Sequence, residues 1–147
     1  MPVLESKLDI RSEVFKTNKS DMLETLAQLQ ELYDEAAEGG GEEAVARIRK
    51  RGKMPIRERI SHVLDQDSPF LEISPLAAWR SSYDIGSGFV VGIGVIEGVE
   101  CVILGHDPSV RAGAFNPFNS KKLMRGLEIA RENRMPYVQF VESAGAD

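Results

Sequence analysis

The chain of 147 residues is poor in the side chains that most catalytic sites lean on, with a single cysteine, Cys101, and two histidines, His62 and His106. One thiol makes no internal disulfide and no cysteine zinc cluster, which agrees with a reducing compartment. No apolar run approaches the roughly 18 residues of a membrane span. The amino terminus, MPVLESKLDIRSEVFK, mixes charges where a secretory signal would carry an apolar core, so an intracellular address is expected. There is no internal repeat and no low-complexity tract, and no GxxxxGK[ST] phosphate loop. With 42% hydrophobic and 28% charged residues, the chain has enough apolar material for a buried core; disordered and collagen-like classes are excluded.

The net charge is −5, unevenly spread. Residues 1–46 carry four basic and eleven acidic residues, whereas Arg47, Arg49, Lys50, Arg51, Lys53, Arg57 and Arg59 cluster against Glu58 alone. Such a cluster suits polyphosphate.

The first half has helical periodicity. From Ser20 as N-cap, apolar residues recur at Met22, Leu23, Leu26, Leu29, Tyr33 and Ala37, until Gly39-Gly40-Gly41 ends the pattern. A shorter helix is expected over about 42–51. A third begins with Pro55 at its first position, burying Ile56, Ile60, Val63 and Leu64. One stripe per helix is a weak core, so these helices form an extension that packs on something else.

The period changes at Ser87. Phe89, Val91, Ile93 and Val95 alternate with Gly88, Val90, Gly92 and Gly94, and Glu97-Gly98 separates them from Val99 to Leu104, the pattern of a tight hairpin. A loop rich in turn formers follows, then a helix from about Asn119 or Ser120 to Asn133 with Leu123, Leu127 and Ala130 on one face, then a strand, Tyr137 to Val141. The fold class is α/β, in β-β-α-β order. Strand, crossover helix and parallel strand make a right-handed unit that leaves ligand sites at the carboxyl ends of the strands. Two loops fall there, His106 to Phe118 and Glu142 to Asp147.

The glycine pairs Gly86-Ser87-Gly88 and Gly92-Ile93-Gly94 lie at the start of and within a strand, not between a strand and a helix, so they mark a bulge or a close backbone approach rather than a dinucleotide site. Neither histidine has a second ligand at metal spacing, so no metal site is expected. Cys101 is expected to be a packed thiol. Ser143-Ala144-Gly145-Ala146 offers backbone N–H groups to a single oxygen, as in an oxyanion hole, with a plain turn as the alternative. Ser143 lacks the GxSxG elbow of a hydrolase nucleophile. Arg111, beside small residues and near Lys121 and Lys122 at a helix start, suits phosphate; a solvated charged face is the alternative.

RGKMPIRERI, SPFLEIS, YDIGSGFVVGIGVIEGVECVILGHD, SVRAGAFNPFNSKKLMRGLEIARENRMPYV and ESAGAD, in that order over about residues 20–147, closely resemble the amino-terminal part of the carboxyltransferase (β) subunit of biotin-dependent acyl-CoA carboxylases, of the propionyl- and methylcrotonyl-CoA type. The resemblance implies a crotonase-like fold of ββα units, with residues 1–84 a helical amino-terminal extension and 85–147 the start of the first of two such domains. It therefore implies a fragment, inactive by itself. It implies carboxyl transfer from carboxybiotin, held by a biotin carboxylase and carrier partner, to the α carbon of an acyl-CoA, in a homo-oligomer with no nucleic-acid or membrane partner. The implied address is the cytoplasm, or the mitochondrial matrix in a eukaryote. The family's SGGA loop falls on Ser143 to Ala146, which gives Ala144 and Gly145 as backbone oxyanion donors; Ala144 stands where the family has glycine. Arg111, Ala112, Gly113 and Ala114 match the coenzyme A end, and Lys121 and Lys122 join them from their charge. The rival enzyme class is a crotonase-type enoyl-CoA hydratase or isomerase, which needs a carboxylate base such as Glu142 or Asp147. The rival outside catalysis is a noncatalytic coenzyme A binding or assembly module.

Overall fold

In the computed structural model, Val3 and residues 6–146 are described. The chain forms two compact units, Met1–Leu32 and Tyr33–Asp147. Helix α1 runs over Glu13–Glu38 and begins eight residues earlier than expected, with Ser12 in the place of Ser20. Ser12 is what starts it: its Oγ accepts the Phe15 N–H at 3.2 Å and its carbonyl accepts the Lys16 N–H at 3.1 Å. Of the expected stripe within the first unit, Met22, Leu23 and Leu26 are exposed and Leu29 is half-buried.

The second unit is built on a four-stranded sheet, β1 (Leu71–Glu72), β2 (Phe89–Ile96), β3 (Val99–His106) and β4 (Tyr137–Phe140), in that spatial order. β1–β2 and β2–β3 are antiparallel, and β3–β4 is parallel across helix α4 (Pro117–Asn133). The hairpin is as the sequence predicts. Glu97 (φ +49°) and Gly98 (φ +74°) form its two-residue turn, and Phe89 faces His106 through to Ile96 facing Val99 in unbroken register. That register has no bulge, so Gly92 and Gly94 mark a close approach, whereas Gly86-Ser87-Gly88 precedes the strand as a left-handed run. A Cβ at Gly94 would overlap the Leu64 side chain and crowd Phe70.

Each sheet face carries its own core. Val90, Cys101 and Ile103 pack with Ile56 and Ile60 of α3 (Ile56–Val63). Phe89, Val91 and Leu104 pack on the α4 side with Leu123, Phe115 and Tyr137. Helix α2 (Gly41–Lys50) precedes α3, buries Ala44 and Ile48, and ends in the Gly52 turn. This unit begins well before residue 85 because α3 covers one face of the sheet and β1 pairs with its edge. β1 itself has no signal in the sequence, being two residues long.

Helix α4 differs from expectation in both start and face. Asn116 caps it, its side chain accepting the Phe118 and Asn119 N–H groups while Asn119 Oδ1 accepts the Asn116 N–H at 2.8 Å, and Pro117 takes the first turn. Its buried residues are Asn119, Lys122, Gly126 and Ala130, while Leu127 is exposed. Gly126 takes the place against the sheet because Val91 leaves no room for a side chain there.

Candidate functional site

The two loops at the carboxyl ends of the parallel strands are stitched together. After β3 the chain passes through a turn in which Arg111 (φ +45°), Ala112 (φ +51°) and Gly113 (φ +70°) are all left-handed. Two of the three carry side chains, at a cost of about 1–3 kcal/mol each that the surroundings must offset. The offsets are visible. Gly113 N–H donates to Val110 O at 2.9 Å, and Ala114 N–H to Arg111 O at 3.1 Å. Arg111 Nε donates to Asp84 Oδ2 at 3.0 Å and Nη2 to Ser82 O at 3.2 Å, with the guanidinium 4.7 Å from the Tyr83 ring centre. Asn119 Nδ2 holds the Ala114 carbonyl at 2.9 Å.

The loop after β4 docks on this turn. Ala144 donates its N–H to Ala112 O at 3.1 Å, Phe115 donates its N–H to Gly145 O at 2.8 Å, and Phe115 pairs with Ala146 as a parallel bridge. A Cβ on Gly113 would overlap the Glu142 carbonyl oxygen, so the position admits only glycine. Residues 111–114 and 143–146 thus form one surface, with Ser143 to Ala146 exposed upon it. Gly145 is left-handed at φ +119°, and Ala144 is not among the left-handed residues described. Gly145 N–H donates to Ser143 Oγ at 3.1 Å, and the hydroxyl in turn lies 3.1 Å from Gly145 O. Both amides that the resemblance makes oxyanion donors therefore have protein acceptors in this structure. Asp147 lies outside the described residues.

The two lysines expected together are separated by burial. Lys121 is exposed. Lys122 is 3% exposed, its Nζ donating to Phe89 O at 2.6 Å and Gly86 O at 3.2 Å, and burial pulls its pKa down to about 8. The placement of Lys122 at the coenzyme A end is corrected accordingly: an ammonium spent on two backbone carbonyls inside the protein is not presented to a phosphate. With Asn116 and Asn119, whose amides both donate to Ser87 O, it clamps the left-handed run Gly86-Ser87-Gly88 that leads into β2. The sequence reading missed this clamp; the Asn116-Pro117 pair, a cap followed by a first-turn proline, was its one visible sign.

Five of the seven cations of the basic cluster are in ion pairs, the Arg47–Glu43 pair at 3.8 Å being largely exposed, and Lys50 and Arg51 are exposed. Arg49 pairs with Glu58, Arg57 with Glu72 at 2.7 Å, and both Lys53 (2.6 Å) and Arg59 (2.7 Å) with Glu142. The hydrogen bond from Lys53, with Arg59 beside it, holds the Glu142 carboxyl below the usual range despite partial burial. A carboxylate held by two cations is a poor proton acceptor, which removes Glu142 as the base a hydratase would need. His106 is fully buried, stacked on Phe89 at 4.1 Å with Nε2 3.2 Å from Gln139 Nε2, and burial lowers its pKa. It is a packed residue of the strand end. Among the described residues no group of three His, Cys, Asp or Glu side chains is placed to hold a metal, and no helix is long and apolar enough to cross a membrane.

A hairpin, a crossover helix, a parallel strand and two joined carboxyl-end loops define an α/β domain of the crotonase-like carboxyltransferase class. Residues 47–147 match the carboxyl transferase domain family, and the chain belongs to it. A probable biotin-dependent acyl-coenzyme A carboxylase β2 subunit of Mycobacterium tuberculosis is 43% identical over 145 residues, covering 99% of this chain and 27% of that protein. The mitochondrial methylcrotonoyl-CoA carboxylase β chain of Dictyostelium discoideum is 40% identical over 148 residues, covering 99% and 25%. The crystal structure of the geranyl-CoA carboxylase β subunit of P. aeruginosa superposes with a TM-score of 0.87 at 37% identity, covering 99% of this chain and 28% of that one. The chain thus spans about a quarter of the length of the relatives it matches.

Proposed function

We propose that the protein to which this chain belongs transfers a carboxyl group to the α carbon of an acyl-CoA, as the carboxyltransferase part of a biotin-dependent acyl-CoA carboxylase. The observation that carries this reading is the joining of the two loops, Ala144 N–H to Ala112 O and Phe115 N–H to Gly145 O, inside the segment that matches the carboxyl transferase family. It brings a run of backbone amides beside a turn suited to a nucleotide. The ββα domain proper is taken to start at residue 85, with 1–84 as the helical extension from which α3 and β1 pack on it.

Loss of a proton α to a thioester places charge on the thioester oxygen, and preorganised N–H donors reduce that cost by about 3–4 kcal/mol per donor. In this reading Gly145 supplies one, and Ala144 supplies the other once its N–H leaves the Ala112 carbonyl that accepts it at 3.1 Å. The Ser143 Oγ accepts the Gly145 N–H at 3.1 Å, and rotation about one side-chain torsion would free that amide for the thioester oxygen. Arg111 to Ala114 and Lys121 hold the coenzyme A end. Carboxybiotin on the carrier supplies the carboxyl group and, once it has released CO₂, the base. Backbone amides and one hydroxyl fit an enolate oxygen, and none of these residues is assigned to the biotin ring. The partners are a biotin carboxylase with its carrier and further copies of the same subunit, in the cytoplasm or the mitochondrial matrix of a eukaryote.

The test uses the full-length subunit with a biotin carboxylase and biotinylated carrier, ATP, labelled bicarbonate and an acyl-CoA. Label enters the acyl-CoA only with the carrier present, and avidin abolishes it. Carrier-independent hydration of an enoyl-CoA, or acyl-CoA binding with no turnover, sinks the proposal.

A further inference from the structure

Of the seven cations between Arg47 and Arg59, two reach the loop that carries Ala144 and Gly145, and they do so through one carboxylate. Lys53 Nζ meets Glu142 Oε1 at 2.6 Å and Arg59 Nη2 meets Glu142 Oε2 at 2.7 Å, so each oxygen has its own cation. Arg59 is the better buried of the two cations, its side chain 23% exposed against 50% for Lys53. Its Nε also donates to Met54 O at 2.7 Å, which fastens the guanidinium to its own turn.

That turn is itself held firmly. Arg51 N–H donates to Ile48 O, Gly52 N–H to Arg49 O and Lys53 N–H to Ile48 O, closing the end of α2, and Pro55 opens α3, which is anchored by buried Ile56 and Ile60. On the other side, the Glu142 carbonyl lies against Gly113. Glu142 is therefore gripped by side chain and backbone alike, two residues before Ala144 and three before Gly145. Little backbone freedom separates the grip from the amides.

We propose that Arg59, with Lys53 in support, is a positioning residue of the carboxyltransferase site, acting through Glu142 to fix the loop backbone that carries Ala144 and Gly145. The inference rests on the function proposed above. It gives the RGKMPIRERI segment a task at the site that no phosphate contact is needed to explain: a pair of cations from the extension sets the register of a loop about 85 residues further on.

The experiment uses the full-length subunit with its carrier partner and compares Arg59→Gln, Glu142→Gln and the double variant. Turnover is expected to fall about tenfold or more in each single variant while KM for acyl-CoA stays within about twofold, because the coenzyme A end is untouched. The double variant is expected to be no worse than the worse single one, and Arg59→Lys to recover part of the rate. Amide hydrogen exchange over residues 143–146 speeds up in the same variants. Wild-type turnover in Arg59→Gln, an effect on KM alone, or losses that multiply in the double variant overturn the proposal. If Arg59→Gln does not fold, Lys53→Met and Glu142→Gln carry the same comparison, with the thermal midpoint read alongside. Gly145→Pro separates the two levels: full activity there removes the loop as the oxyanion site and the clamp with it, whereas a dead Gly145→Pro beside a fully active Arg59→Gln refutes the clamp only.

Discussion

The Ala144 amide and the Ala112 carbonyl meet at 3.1 Å, and this contact ties a loop that follows β4 to a turn that follows β3, 32 positions earlier in the chain. Any variant that moves either partner disturbs both loops.

Gly113→Ala tests the junction. The residue sits at φ +70°, and its added methyl would overlap Glu142 O, a backbone atom that cannot swing aside. A stability loss of about 2 kcal/mol or more is expected, from the left-handed strain together with the overlap. Urea unfolding of the full-length protein measures it; an unchanged midpoint would contradict this packing of the loops.

Gly145→Pro tests the donors. It removes one N–H and imposes φ near −65° where the chain holds +119°. Turnover should fall about 10²–10³-fold with little change in acyl-CoA affinity. Ser143→Ala should keep most activity, since the hydroxyl's task is to occupy the Gly145 amide; if Ser143→Ala abolishes turnover with folding intact and Gly145→Pro is tolerated, the enolate reading of the loop is wrong.

Lys121→Glu tests the coenzyme A end without touching the Arg111 contacts that hold the turn. Contacts to a distant phosphate bind ground and transition states alike, so KM for acyl-CoA should rise several-fold while kcat stays within about twofold. Steady-state kinetics at saturating carrier decides it, and an unchanged KM removes the residue from the site.

Lys122 gives a pH dependence of known sign. Its pKa is near 8 in the folded protein and 10.5 as a free side chain, so between those values the unfolded chain binds more protons and stability rises with pH. The gain is about 3 kcal/mol at most, at 1.36 kcal/mol per unit. Tyr137, whose buried hydroxyl is pushed up to about 12, opposes it above pH 10. Lys122→Met should abolish the rise between pH 8 and 10; a rise of the same size in that variant would refute the assignment to Lys122.

The hairpin, the helical first half, the crossover helix and the last strand were legible because each rests on local rules: period two with Glu97-Gly98 between the runs, period three to four between breakers such as Gly39-Gly40-Gly41, and an apolar run from Tyr137 to Val141, of which Tyr137–Phe140 is strand; the starts of α1 and α4 were not, because Ser12 and Asn116 cap them. The two loops were legible as candidates because topology places ligands at carboxyl strand ends. What the sequence did not contain was which charges find each other. Lys121 and Lys122 are neighbours in the chain, but successive helix positions point about 100° apart, so packing of α4 on the sheet buries one and exposes the other. Arg59 and Glu142 are 83 positions apart, and no local pattern announces their meeting. By itself the sequence determined the elements other than β1, their order and the family; the tertiary structure decided β1 and the partners, because edge pairing, ion pairs and buried ammonium groups are set by distance in space, and spacing along a chain does not encode it.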